Sequence, residues 1–242
     1  MQNIRNRILL AALLSAGAMT SQVAGAAENC TDMTKPGLFP NTFVESAVVV
    51  AADAKTGMPS FCELRVFILP VPNSVIGAVY RLPENWNGRM LGLGGGGWTG
   101  HTVLRSPVPI PGPGRFADLG LTRGYATAQT DAGHRMAPPG TDVSWMRDNP
   151  EAITDFSHRA IHEMTVLGKQ VVASYYGRAP TKNYFQGCST GGRMGLMEAQ
   201  RYPTTTMAWS QEPRSTTCSL KRGPWCAIKF SRRPAPLFPT SS

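Results

Sequence analysis

An α/β fold is the class this sequence predicts, on three observations. Short β-rich segments bounded by turn residues fill the first half, one long amphipathic helix with a clear start follows, and a strand, a glycine turn and a second helix come after it. The first strand, Cys62 to Leu69, alternates and is β-rich around Val66, Phe67 and Ile68. Ile76 to Leu82 follows the turn Pro72-Asn73-Ser74, and Met90 to Leu93 follows Trp86-Asn87-Gly88. These read as an antiparallel opening and a central strand. Ser106 to Gly114 carries Pro107, Pro109, Pro111 and Pro113 and is expected to be an extended loop. Tyr125 to Thr130, after Gly124, is a further short strand.

Asn149-Pro150-Glu151 is a helix start, with Asn149 as N-cap and Pro150 at the first helical position. From there Ile153, Phe156, Ala160, Ile161, Met164, Leu167 and Val171 place apolar residues on one helical stripe through about Tyr175. Asn183-Tyr184-Phe185-Gln186 has the bulky look of a short buried strand, and Met194 to Arg201 reads as a helix of good helix formers. Between them lies Gly187-Cys188-Ser189-Thr190-Gly191, followed by Gly192; glycines here let helix and strand pack where a side chain would collide.

That G-x-S-x-G pattern, set between strand and helix, is the sharp turn that presents a serine nucleophile, which makes Ser189 the candidate catalytic residue. Gly94-Gly95-Gly96-Gly97-Trp98 follows a strand directly, where backbone N–H groups can stabilise an oxyanion; Gly96, Gly97 and the N–H of Thr190 are the candidate donors, against the plainer reading of a flexible turn. Asp131-Ala132-Gly133-His134 also ends a strand. His134 is a candidate base and equally a loop histidine bonding backbone. His158 and His162 stand four apart on the long helix, but no HExxH pattern accompanies them and they read as a solvated helix face, with no metal expected. Cys30 and Cys62 are the expected structural disulfide.

Residues 1 to 26 combine Arg5 and Arg7, an apolar run from Ile8 through Leu14 and the small residues Ala24-Gly25-Ala26, the pattern of a secretory signal peptide. A secreted or periplasmic protein follows, in a compartment that permits disulfides. The formal charge of +9 invites nucleic acid or a membrane surface as partner. Its distribution argues against both. Two positive charges lie in the signal and six bases against one acid (Glu212) lie in 204–242, leaving the body near balance.

Trp86-Asn87-Gly88, the Gly94 to Trp98 loop, Gly124-Tyr125-Ala126-Thr127, Thr130-Asp131-Ala132-Gly133-His134, His162-Glu163-Met164-Thr165, Tyr175-Tyr176-Gly177 and Gly187 through Arg193 to Arg201-Tyr202-Pro203 closely resemble the tannase and feruloyl esterase family. The match runs from about Cys30 to Pro203. The resemblance implies a secreted α/β-hydrolase fold, of which this chain holds the amino-terminal part (27–203), and a small aromatic ester (feruloyl, galloyl or a related monoester) as substrate. It implies Ser189 as nucleophile and, for Cys188, a disulfide to a cysteine beside the family's catalytic histidine. The family also inserts a lid domain with a calcium site and much of the substrate pocket, then supplies Asp and His; this sequence lacks them, so no cofactor is expected in the chain itself.

After Ser189 the sequence contains no His and no Asp, and its later carboxylates are Glu198 and Glu212. Family likeness ends at Pro203, where Thr204 opens a basic tail (204–242) without periodicity. A one-base frameshift is expected. Read from the third base of the Pro203 codon, suitable codons give Asp-Asp-Tyr-Asp-Gly-Val-Val-Ala-Gly-Ala, in which Met207 with Ala208 forces the glycine and Trp209 with a TCN serine forces a valine. Three functions stay open: an aromatic-ester hydrolase by descent, a noncatalytic truncated product, and a cationic binding protein using the tail.

Overall fold

The structure is a computed structural model that describes residues 30–100, 113–135, 142–187, 189–203 and 205. The expected signal peptide (1–26), the proline segment before Pro113, Cys188 and all of the tail except Thr205 lie outside the described residues. Six strands form one sheet in the order β1-β2-β3-β5-β4-β6. They are β1 (Thr42–Val50), β2 (Phe61–Ile68), β3 (Ile76–Pro83), β4 (Arg89–Leu93), β5 (Ala126–Thr130) and β6 (Lys182–Gln186). β1, β2 and β3 pair antiparallel, and β3 pairs antiparallel with β5 from Ala78 opposite Thr130 to Arg81 opposite Thr127. β5, β4 and β6 run parallel, with Met90 beside Ala126 and Arg89 beside Lys182.

Helices cover both faces of the parallel part, as parallel strands require. α1 (Pro113–Thr122) joins β4 to β5 and brings Gly120 against Leu91 and Thr127. The long connection from β5 to β6 holds α2 (Pro150–Thr154), a π-helical turn (Asp155–Arg159) and α3 (Ala160–Tyr176). In α3, Gly168 sits against Met90 and Tyr80. Because Met90 and Leu91 are consecutive in a strand, they point to opposite faces, which places α1 and α3 on opposite sides of the sheet. β3 and β5 are buried at every position. The main core joins Leu64, Tyr80, Met90, Ala128, Met164 and Phe185 across these elements. The buried Tyr80 hydroxyl donates to the Met164 carbonyl at 2.9 Å, so its polar end has a partner.

The expected disulfide is present: Cys30 is bonded to Cys62, tying the segment before β1 to β2 across a Cα separation of 5.6 Å. Five of the strands and the last helix, α4 (Thr190–Arg201), coincide with the sequence reading apart from end residues. Three features differ. β1 has no buried residue and contains a register shift between Val44 and Ser46, so its Thr-Phe-Val-Glu-Ser-Ala-Val-Val-Val run lacks the alternation that marks a half-buried strand. Pro113 and Gly114 open α1 rather than continuing an extended loop, because a proline's fixed φ suits the first helical turn. Asn149 does cap the long helix, accepting from the Ala152 N–H at 3.2 Å, but the π turn inserts a residue into the helical repeat. Ile153, upstream of it, is therefore out of phase with Ala160, Ile161, Met164, Leu167 and Val171 and is 43% exposed while they are buried.

Among the described residues β6 is an edge of the sheet. No described helix is long and apolar enough to cross a membrane.

Candidate active site

The carboxyl ends of β4, β5 and β6 open on one edge of the sheet, and β4, between the other two, is where the order of connection reverses. The crevice beyond such a switch point is where α/β sheets hold ligands. Each strand is followed there by a backbone residue in the left-handed region that is neither Gly, Asn nor Asp: Thr99 (φ 64°) after β4, Ala132 (φ 66°) after β5 and Ser189 (φ 55°) after β6. Such residues cost of order 1–3 kcal/mol each and persist where surrounding structure holds them.

Ser189 stands at the head of α4 with φ 55° and ψ −123°, and is exposed. Glycine backbones hold that turn. A Cβ on Gly191 would lie 2.8 Å from the Gly94 carbonyl carbon, and one on Gly94 or Gly187 would run into the Gly191 backbone. Gly94 donates its N–H to Gln186 O at 2.9 Å, and Arg193 donates its own to Ser189 O at 3.1 Å. The glycine with the packing role foreseen between helix and strand is thus Gly191, and Gly187 and Gly94 share it.

Gly96, Gly97 and Trp98 are exposed, and nothing lies within 4 Å of a Cβ placed on Gly96 or Gly97. The Thr190 hydroxyl donates to Gly97 O at 2.6 Å, latching this loop to the residue beside Ser189. The candidate oxyanion donors Thr190, Gly96 and Gly97 and the candidate nucleophile Ser189 are thereby brought to one place.

After β5, Asp131 is buried and its Oδ1 accepts N–H bonds from Gly77 (3.0 Å) and Gly133 (2.8 Å). Burial raises its pKa to about 7, against the opposing pull of those bonds and of Arg135. Its carbonyl accepts from Gly100 N–H at 3.0 Å, which joins the glycine loop to the β5 turn. His134 is buried, with its ring stacked on Trp145 at 3.7 Å and edge-on to Phe156 at 5.8 Å; it is a packing element of this edge.

The helix that closes the site from behind is anchored by groups the sequence reading did not single out. The Asp155 carboxylate, fully buried, accepts from Ser74 Oγ at 2.7 Å and from Arg159 Nε at 2.5 Å, and Arg159 also pairs with Glu151 at 2.5 Å. Arg193 of α4 donates to the Ser157 and Phe156 carbonyls at 2.6 and 2.9 Å, with its guanidinium 4.5 Å from the Phe156 ring centre. The i,i+4 spacing of Asp155 and Arg159 is a readable signal; the partners in Ser74 and Phe156 are set by tertiary contact alone. His158 and His162 are not on a solvated face. His162 stacks on Tyr202 at 3.6 Å with Nδ1 3.2 Å from Oε1 of the fully buried Glu198, and His158 Nδ1 lies 3.1 Å from the Tyr202 hydroxyl. Burial, then Arg201 and Arg159, hold the His158 pKa below its ordinary value. Among the described residues no three His, Cys, Asp or Glu side chains gather as a metal site.

Known proteins match this architecture. The family model described as tannase and feruloyl esterase matches residues 65–206. The chain is 36% identical over 206 residues to an uncharacterized esterase of Xanthomonas campestris, covering 81% of this chain and 33% of that protein. It is 36% identical over 151 residues to a probable feruloyl esterase of Arthroderma benhamiae, covering 59% and 26%. The crystal structure of feruloyl esterase B from Aspergillus oryzae superposes with a TM-score of 0.61 at 27% identity, over 74% of this chain and 35% of that one. The chain therefore spans a third or less of the length of these two curated relatives.

Proposed function

Because the chain belongs to the tannase and feruloyl esterase family, we propose that it carries the nucleophile and oxyanion-binding part of a carboxylic ester hydrolase acting on esters of aromatic acids. The observation that carries this reading is Ser189 at φ 55° on a strand-to-helix turn whose backbone is wedged against the Gly94 loop. A conformation that strained at an exposed serine serves presentation of its hydroxyl rather than packing.

The chemistry is acyl transfer. Ser189 Oγ attacks the ester carbonyl as its proton passes to a base, and the carbonyl oxygen becomes an oxyanion facing the N–H groups of Thr190 and of Gly96 or Gly97. Collapse expels the alcohol and leaves the acyl group on Ser189; water then releases the acid by the reverse sequence. The Thr190-to-Gly97 bond supports the reading because it fixes the two halves of the oxyanion site to each other before substrate arrives. The start of α4 adds a partial positive charge beside the oxyanion. Cys188, next to the nucleophile, is proposed to pair with a cysteine near the base in the intact site.

Among the residues that follow Ser189 in this sequence there is no His and no Asp. The signal-like residues 1–26 and the Cys30–Cys62 disulfide support an exported protein.

We infer a one-base frameshift after Pro203, and the test is a chemical one on protein made from the gene with that frame restored. Acid quenching during turnover of p-nitrophenyl ferulate should trap a feruloyl group on the Ser189 peptide by mass spectrometry. Turnover without that adduct, and unchanged by Ser189→Ala, overturns the reading.

A further inference from the structure

We propose that Trp98 is a specificity-determining residue of this site, presenting an indole face on which the aromatic ring of the acyl group stacks while its ester carbonyl sits over Gly96 and Gly97. The inference rests on the hydrolase reading above and assigns its acyl subsite to a residue of the glycine loop.

Position comes first. One hydrogen bond, Thr190 Oγ to Gly97 O, has Ser189 as the neighbour of its donor residue and Trp98 as the neighbour of its acceptor residue. Trp98 thus follows directly, along the chain, a residue bonded to the neighbour of the candidate nucleophile. Gly96, Gly97, Trp98 and Ser189 are all exposed, and the space beside both glycines is open.

The backbone on both sides of Trp98 is fixed in the left-handed region, with Gly97 at φ 56° and Thr99 at φ 64°. For a β-branched residue that conformation is a true outlier, and an outlier at a candidate site is grounds for a functional hypothesis. Thr99 is kept there by its N–H bond to Gly96 O (2.9 Å), by Gly100 N–H to Asp131 O (3.0 Å) and by burial of its side chain against Gly95. The residue between these two positions is Trp98.

The ring has a support and a free surface. Trp145 meets it edge-on at 6.4 Å and Phe156 is tilted against it at 5.7 Å, while 39% of the residue remains exposed. Arg193, over Phe156, ties that aromatic group to the helix that carries Ser189. A large apolar ring braced on two aromatics gains from covering its open face with a flat, apolar partner, and offset or edge contacts between aromatic rings add about 0.5–1.5 kcal/mol beyond burial. A planar aromatic acyl group supplies that partner; a saturated ring of equal size supplies only the burial.

Binding tests this without needing turnover. Methyl ferulate is titrated by ligand-observed NMR against the full chain carrying Ser189→Ala, and against the same chain with Trp98→Ala, Trp98→Phe or Trp86→Phe added, each checked for an unchanged circular dichroism spectrum. Trp98→Ala should weaken binding about tenfold, Trp98→Phe by less than about threefold, and methyl cyclohexanecarboxylate should bind the parent at least about threefold more weakly than methyl ferulate. Trp86, stacked on Tyr176 in the loop that precedes β4, should be neutral. Equal affinity of the Trp98→Ala and parent chains overturns the assignment, as does absence of methyl ferulate binding to the parent. Neither result touches the hydrolase reading, which stands or falls on the Ser189 acyl adduct.

Discussion

The two halves of the sheet are held by different means. β1, β2 and β3 form an antiparallel flank joined by local turns and stapled through Cys30–Cys62, and carry none of the candidate chemistry. β5, β4 and β6 form a parallel half whose loops carry Ser189, the glycine strip and the aromatic group, and whose outermost described strand, β6, has one partner. The flank owes its cohesion to antiparallel pairing around the buried strand β3 and to a covalent link. The parallel half owes its geometry to missing side chains, with glycine backbones packed on one another, and to three strained residues. The candidate site lies in the half where the backbone is least forgiving.

A pair of glycine substitutions breaks that comparison most severely. Gly191→Ala drives a Cβ into the Gly94 backbone and should cost about 4 kcal/mol or prevent folding of the elbow, while Gly96→Ala, with open space around it, should cost no more than about 1 kcal/mol in urea unfolding. Equal effects would mean that the glycine wedge is not what holds the turn. Removing the staple probes the other half: Cys30→Ser with Cys62→Ser should lower global stability by about 2–4 kcal/mol. Hydrogen exchange should then rise first in β1 and β2 and leave the Gly94 and Ser189 amides comparatively slow. Faster exchange at the elbow than in the flank would show that the two halves are not separable.

Asp131 sharpens the comparison through pH. Its folded pKa of about 7 lies above the ordinary aspartate value, so the native state holds a proton that the unfolded chain has released. The associated stability is present in full below about pH 4 and is lost as pH rises toward and through 7, at up to about 1.4 kcal/mol per unit. Asp131→Asn keeps an oxygen for the Gly77 and Gly133 N–H groups and should flatten that slope, measured as the thermal midpoint against pH. An unchanged slope would place the proton elsewhere. The smallest effect is expected from Thr190→Val, which removes the bond to Gly97 and should cost about 1 kcal/mol while raising exchange at Gly97 and Trp98.

The strand–turn–helix around Ser189 was legible because glycines, a helix start and an apolar strand are local signals, and the disulfide because only Cys30 and Cys62 lie in the body before the elbow. β1 was not, since an edge strand with no buried residue follows no burial pattern. The π turn was also hidden. It depends on the buried Asp155, whose partner Ser74 is 81 residues away in sequence. His158 and His162 were misread as solvent-facing because the tyrosine that covers them, Tyr202, comes from the end of another helix. Trp98 was seen as the end of a glycine run; only the ring contacts and the backbone angles on either side give it a role.

The most direct measurement compares rates of methyl ferulate hydrolysis by the full chain, its Ser189→Ala variant and the frame-restored protein. The account predicts that the full chain is no faster than its Ser189→Ala variant, and that the frame-restored protein turns over at least about 10³-fold faster with complete dependence on Ser189, since a positioned base and its orienting acid are worth that much. Serine-dependent turnover by the full chain at ordinary enzyme rates, or a frame-restored protein as slow as the full chain, would contradict it.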